Sequence, residues 1–412
     1  MKVRAGTRVL LAYSGGLDTS YLVAWLTHEH ACEVTALTVD CGGTTPKERR
    51  AREQRALACG AVAYRAVDAR GDLFDRVLCY LIAGNARRGE TYPLCVAAER
   101  GIQAEVLADL ARREAFDAVA HGCTGAGNDQ VRFESALAVV AGEVLVLAPI
   151  RDAAVQREEE RAYLARHGVV VERAESTYSV NQGLWGLTIG GGVLLASRDP
   201  LPEEAWRWTR GAPHPGARSG VRVDFERGVP VALDGRKRAP VPLIEQLNRM
   251  GGAAGVGRGY HLGDTVLGHK GRIAYEAPAA EILLAAHREL EKLVLTEEQR
   301  LWKDQLASGY GRLLHRGQLH EPALRDIEAF LASSQARVTG SVRVAFRGGS
   351  AVVEGLESPF SLLAASDARY GERPAGGSNA QGAVWLARTL AEPARLARLA
   401  GRAAGAPEEV LR

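Results

Sequence analysis

The feature that most constrains this chain is an apolar run, Arg8 to Tyr13, that ends abruptly in Ser14-Gly15-Gly16-Leu17-Asp18-Thr19-Ser20 and resumes with helical spacing at Tyr21, Leu22, Ala24 and Trp25. A strand that turns into a helix through paired glycines is an anion site. The glycines let backbone N–H groups approach a ligand closely, the helix N-terminus adds partial positive charge, and Ser14, Thr19 and Ser20 offer hydroxyls to phosphate oxygens. The loop lacks both the lysine of a Walker A sequence and the G-x-G-x-x-G of dinucleotide folds. A ligand-free tight turn would account for the glycines but not for the coinciding hydroxyls.

The same alternation continues along the first part of the chain. Arg8 to Tyr13, Val34 to Asp40, Ala61 to Val67, Ala118 to His121 and Val144 to Ile150 read as strands, with helical patterns between them. That order predicts an α/β fold whose parallel sheet is covered on both faces and binds ligands at the carboxyl ends of its strands. We expect a nucleotide-binding domain over residues 1–170, an α+β substrate domain over 171–363 and a helical arm over 364–412. The second domain is read from shorter strands, the punctuation of Gly190-Gly191-Gly192 and Pro200-Leu201-Pro202, a helix from Ala279 to Leu295, and a hairpin over Val338 to Val353 turning at Gly348-Gly349. The terminal stretch, Val384 to Ala400, reads as helical and broken or kinked at Pro393, with an apolar face suited to a partner subunit.

Composition excludes several classes. The 412 residues exceed what one core usually holds, and 52 Lys+Arg against 49 Asp+Glu leave a net charge of +3, too little for a nucleic-acid-coating surface. The longest apolar runs, such as Val144 to Ile150, stop well short of the roughly 18 residues of a membrane span, and the N-terminus has no secretory pattern, so no membrane and a cytoplasmic location are expected. Cys32, Cys41, Cys59, Cys79, Cys95 and Cys123 lack metal-ligand spacing, which predicts reduced thiols and no metal site.

A second polar cluster, His121-Gly122-Cys123-Thr124-Gly125-Ala126-Gly127-Asn128-Asp129-Gln130-Val131-Arg132-Phe133-Glu134, follows a predicted strand and enters a helix. In a core helix, Asn128, Asp129, Arg132 and Glu134 would each need a buried partner, so a ligand-facing site is the simpler reading. The first loop resembles the pyrophosphate loop of the ATP pyrophosphatases. Together the two motifs closely resemble the argininosuccinate synthase family, whose loop is matched residue for residue by Ala12 to Ser20 and whose second motif is matched except at Ala126, where the family usually has lysine. Tyr178 to Gly186 and Gly268 to Pro278 are looser echoes of its later segments.

The resemblance implies an AMP-forming C–N ligase. ATP, with Mg2+ on its phosphates, adenylates an oxygen of an acceptor with loss of pyrophosphate, and the amine of L-aspartate then displaces AMP. It assigns Ala12, Tyr13, Ser14, Gly15, Gly16, Leu17, Asp18, Thr19, Ser20, Val39 and Gly122 to ATP, and Thr124, Asn128 and Asp129 to aspartate. Tyr92, Asn128, Arg132, Ser179, Thr188 and Tyr275 fall to the acceptor. It also implies a homotetramer acting on small molecules alone.

Departures from the family cluster on one substrate. Ala97 stands where a serine helps hold citrulline's amino-acid head, and Gly263 stands where a glutamate contacts it, although Asp264 lies next door. Gly183, Leu187, Thr188 and Gly190 replace asparagine, arginine, serine and glutamate. These changes predict a ureido, amide or carboxylate acceptor other than citrulline. The alternatives are an ordinary argininosuccinate synthase acting on citrulline, and a catalytically degenerate ATP-binding regulatory subunit. Sulfur transfer through Cys41, Cys95 or Cys123 is disfavoured by the lack of a basic, aromatic RNA surface.

Overall fold

The computed structural model describes residues 3–97, 99–125, 127–153, 155–171, 177–366 and 380–405; Ala126 and the loop-like part of the predicted arm around residues 367–379 lie outside them. The fold is α/β. Its first sheet is parallel, in the order β3-β2-β1-β4-β5, formed by β1 (Arg8–Ala12), β2 (Glu33–Asp40), β3 (Ala63–Asp68), β4 (Ala118–His121) and β5 (Leu145–Leu147). Val9, Leu10, Leu11, Val34, Ala36 and Val119 are fully buried, because helices cover both faces and leave no side for polar alternation. Those helices include α1 (Leu17–His28), α2 (Pro46–Ala58), α3 (Glu99–Arg113) and α4 (Asn128–Val140).

Strand order reverses on either side of β1, which pairs with β2 on one edge and β4 on the other. This is the switch point at which open parallel sheets leave a crevice. Ala12 pairs with His121, so the two motifs leave the sheet side by side.

Two antiparallel sheets complete the first compact unit, Met1–Phe360. One runs β11-β12-β7-β6, from β6 (Tyr178–Gln182), β7 (Leu187–Gly191), β11 (Arg258–Asp264) and β12 (Lys270–Glu276). The other runs β10-β9-β8-β13-β14, from β8 (Gly220–Glu226), β9 (Val229–Leu233), β10 (Arg236–Lys237), β13 (Gly340–Arg347) and β14 (Ser350–Glu357). The last two are the predicted hairpin, shifted two residues in from its expected start, with Gly348 and Gly349 at φ 54° and 80° in its turn. A long amphipathic helix, α5 (Pro278–Val294), buries Ile282, Leu283, Ala286 and Leu290 beside this sheet and lies one residue earlier at each end than the expected Ala279 to Leu295.

The second unit, Ser361–Arg412, contains α6 (Ala380–Ala403). The helix runs through Pro393 without a break, so of the expected break or kink the break is absent. Proline removes one hydrogen bond, and the flanking Ala, Leu and Arg residues are strong helix formers that carry the helix past it.

One buried carboxylate fixes the connection between the sheets and the loop at residues 203–211. Glu276, at the end of β12, is fully buried and accepts from the backbone N–H groups of Arg207, Trp208 and Thr209 at 2.8, 3.0 and 2.7 Å, and from the Thr209 hydroxyl at 2.5 Å. Glu276→Ala leaves those donors unsatisfied and should cost about 2–5 kcal/mol. Thermal unfolding tests this: a melting temperature equal to wild type would show that the carboxylate does not hold the loop.

Candidate active site

A cleft of about 870 Å³ opens at the carboxyl ends of β1 and β4. One wall is the loop after β1, contributing Ser14, Gly16, Asp18 and Thr19; the other is the loop and helix start after β4, contributing Gly122, Thr124, Asn128, Asp129 and Arg132. Tyr92, Val180 to Gln182, Thr188 and part of β11–β12 line the rest.

The anion loop is shaped by its own side chains. Ser14 Oγ accepts from the Gly16 N–H at 3.2 Å and lies 3.1 Å from Thr19 Oγ1, while Gly15 adopts a left-handed φ of 79°. Ser20 is fully buried behind the loop, 3.1 Å from the Tyr13 hydroxyl, and Leu17 packs against the core. Ser20, Leu17 and Gly15 therefore shape the loop from outside the cleft lining, whereas Ala12, Tyr13, Val39 and Gly122 reach it.

The sequence did not single out the cations over this loop. Arg52 and Arg157 both line the cleft, and the stem of Arg52 lies against Gly15. Thr45-Pro46-Lys47-Glu48 is a capping box that starts α2 there: Glu48 N–H donates to Thr45 Oγ1 at 3.2 Å, and Thr45 N–H donates to Glu48 at 2.8 Å. That signature was legible, and it directs an arginine-rich helix toward the loop.

On the opposite wall Asn128, Asp129, Arg132 and Glu134 of the second motif all have partners. Asp129 takes Arg100 Nε and Arg132 NH1, each at 3.0 Å, and Arg132 Nε also donates to the His315 carbonyl at 3.0 Å. Burial pushes the Asp129 carboxyl up, but the two guanidinium groups outweigh it and hold it below the ordinary aspartate value. Asn128 Oδ1 accepts from Val266 N–H at 2.9 Å, which leaves its amide N–H groups as donors for a carboxylate. Glu134 accepts from Arg151 NH1 at 2.5 Å and contacts His121 Nε2 at 3.2 Å. Burial, with Asp129 and Glu134 nearby, pushes the Cys123 thiol up to about 12; Cys41 and Cys95 are raised by burial as well, so none is a thiolate nucleophile near neutral pH.

The region assigned to the acceptor is the most altered. Tyr92 lines the cleft, stacks on His261 with ring centroids 5.3 Å apart, and donates its hydroxyl to the Cys95 carbonyl. Tyr275 sits behind Tyr92, its hydroxyl donating to the Thr91 carbonyl at 2.9 Å, and Ser179 lies on β6 opposite Gly190; neither is among the cleft-lining residues, whereas Thr188 is. Ala97 is buried outside the lining. The connecting segment is strained, with Leu94 and Val96 at left-handed φ of 61° and 57°.

At Gly263 the geometry explains the missing side chain. A Cβ there would lie 2.5 Å from His261 Nε2, so the imidazole already fills the space. Asp264 is exposed at the margin of the cleft, where it binds Lys270 Nζ at 2.6 Å.

Comparisons with known proteins cover nearly all of this architecture. The family model described as the arginosuccinate synthase N-terminal HUP domain matches residues 8–170, and that described as the arginosuccinate synthase C-terminal domain matches residues 178–388. The argininosuccinate synthase of Methanocaldococcus jannaschii is 37% identical over 364 residues, covering 88% of this chain and 92% of the relative. Those of Chlorobium phaeobacteroides and Symbiobacterium thermophilum are each 39% identical, over 371 and 368 residues, covering 89% of this chain and 91% and 92% of the relatives.

Gly15→Ala probes the loop directly. A Cβ at the left-handed Gly15 costs about 1–2 kcal/mol of backbone strain and meets the Arg52 stem at 2.6 Å. ATP binding measured by calorimetry should weaken roughly tenfold, the equivalent of that strain. Unchanged affinity would place the phosphates elsewhere.

Proposed function

The chain belongs to the argininosuccinate synthase family, and from that premise we propose that it joins the amine of L-aspartate to citrulline at the expense of ATP, releasing AMP and pyrophosphate. The observation that carries this reading is the convergence of the pyrophosphate-type loop and the Thr124, Asn128, Asp129 and Arg132 set on one cleft. The three relatives compared above, which match over about nine-tenths of the chain, are argininosuccinate synthases, and they favour citrulline over another acceptor.

In this reaction the ureido oxygen attacks the α-phosphorus and pyrophosphate leaves. Backbone N–H groups of Asp18 and Thr19 in the first turn of α1, with Arg52 and Arg157, stabilise charge on the departing phosphates through donors already in place. Magnesium arrives on the ATP phosphates as part of that substrate. Val39 and Gly122 flank the nucleotide. The aspartate amine then attacks the ureido carbon and AMP leaves; holding both substrates in one cleft makes this step effectively unimolecular. Asp129 takes the ammonium of aspartate, and Thr124 and the Asn128 amide take its carboxylates. Arg132, Asn128, Tyr92 and Thr188 orient the acceptor, with Ser179 and Tyr275 supporting that wall. Residues 1–170 serve as the ATP domain, 171–363 as the substrate domain and 364–412 as an arm between subunits of a cytoplasmic homotetramer.

A second reading keeps one specific observation in its favour. His261 occupies the space of the absent carboxylate at Gly263, which suits an acceptor without citrulline's head group. The two are separated by incubating purified protein with ATP, aspartate and citrulline and measuring AMP and argininosuccinate. We expect turnover in the ordinary enzyme range of kcat/KM, about 10⁴–10⁸ M⁻¹s⁻¹. Asp129→Asn should raise the KM for aspartate about tenfold or more through the lost charge-assisted bond. No argininosuccinate, or ammonia replacing aspartate equally well, would sink the proposal.

A further inference from the structure

Among the carboxylates lining the cleft, Asp18, Glu48, Glu99, Asp129 and Asp264, most are committed. Glu48 caps α2, Asp129 holds two arginines, Asp264 holds Lys270, and Asp18 lies in the phosphate loop. Glu99 is different. It opens α3 with only 3% of its surface exposed, and its Oε1 is buried without a hydrogen-bond partner among the described residues. The cations nearest to it are already engaged: Arg100 by Asp129 and by Gln103 at 3.1 Å, and Arg132 by Asp129 and the His315 carbonyl. A buried carboxylate that faces a cleft without a partner is costly unless a ligand completes it.

Its seat is made by Gly183, in the turn between β6 and β7. A Cβ at Gly183 would lie 1.8 Å from Glu99 Oε1 and 3.2 Å from Oε2, so the carboxylate occupies the volume that a side chain at 183 would fill. The wall of β11 thus offers no carboxylate at Gly263, while the wall of α3 and β6–β7 holds one at Glu99.

We propose that Glu99 is the specificity-determining carboxylate of the acceptor site, its carboxylate turning from its seat against Gly183 to accept from a cationic N–H head group, which in the citrulline reading on which this rests is the α-ammonium. The head group is then held from the Gly183 side of the cleft instead of the Gly263 side. Burial raises the Glu99 carboxyl to about 7, with Arg100 and Arg132 pulling it down and Asp129 pushing it up. Tyr92, Cys95 and Cys41 also face it, and burial raises all three, so they stay neutral in this range. Below about pH 7 a proton neutralises Glu99 and removes the ion pair; above it the carboxylate is available. Acceptor affinity therefore rises between pH 6 and pH 8.

The test is ATP–pyrophosphate exchange without aspartate, which reports on acceptor adenylation alone, comparing citrulline with 5-ureidopentanoate, its analogue lacking the amine. Wild-type protein should prefer citrulline by about tenfold or more, the range of a hydrogen bond to a charged group, with a citrulline KM that falls from pH 6 to pH 8. Glu99→Gln should bring the preference close to unity and flatten the pH dependence. Gly183→Ala, which displaces the carboxylate without removing it, should do the same, while the KM for ATP in both variants confirms an intact nucleotide site. A citrulline preference and pH profile that survive Glu99→Gln would overturn the assignment and leave the acceptor reading standing. Exchange with glutamine over its amine-free analogue, lost in Glu99→Gln, with no exchange on citrulline would do the reverse.

Discussion

Everything at the site depends on the parallel pairing of β1 with β4. Because Ala12 is opposite His121, the chain leaves the sheet twice at the same place, once into a glycine loop and once into a polar helix start. Neither segment alone could bring together an anion and an amine donor. Hydrogen bonding across a switch point sets that juxtaposition with the precision of a sheet register, and the fully buried Val9, Leu10, Leu11 and Val119 make the register costly to shift.

Electrostatics divide the cleft along its length. The end beneath Gly15 carries Arg52 and Arg157, suited to leaving phosphates. The middle keeps a positive balance, since the single Asp129 carboxylate is clamped by both Arg100 and Arg132. Next to Arg100 lies Glu99, an acid whose Oε1 has no hydrogen-bond partner among the described residues. This ordering matches a reaction in which charge builds on a pyrophosphate at one end while a zwitterionic acceptor is positioned at the other.

Much of this was legible in the sequence where the signal is local. The strand-loop-helix entry at Ser14 to Ser20, the five strands of the parallel sheet and the Pro278 helix start follow from periodicity, glycine placement and proline chemistry that operate over a few residues. The identity of the second motif was equally plain, but its partners were not: the Asn128 bond to Val266 and the Arg132 bond to His315 join positions 138 and 183 residues apart. Glu99 escaped notice for the same reason, since its importance comes from facing Gly183, and one glycine in a turn does not announce what it makes room for. The replacement at Gly263 could be read as a loss, but only the position of His261 shows that the space is filled. At Pro393 the helix continues instead of breaking, because the helix formers around the proline carry it past the lost hydrogen bond.

In the proposed reaction an acceptor oxygen is transferred to phosphorus before aspartate attacks. That transfer is tested most directly by supplying citrulline labelled with oxygen-18 in its ureido group, together with ATP and aspartate, and analysing the products by mass spectrometry. We expect one labelled oxygen in AMP and none in pyrophosphate. Unlabelled AMP formed alongside product would contradict it.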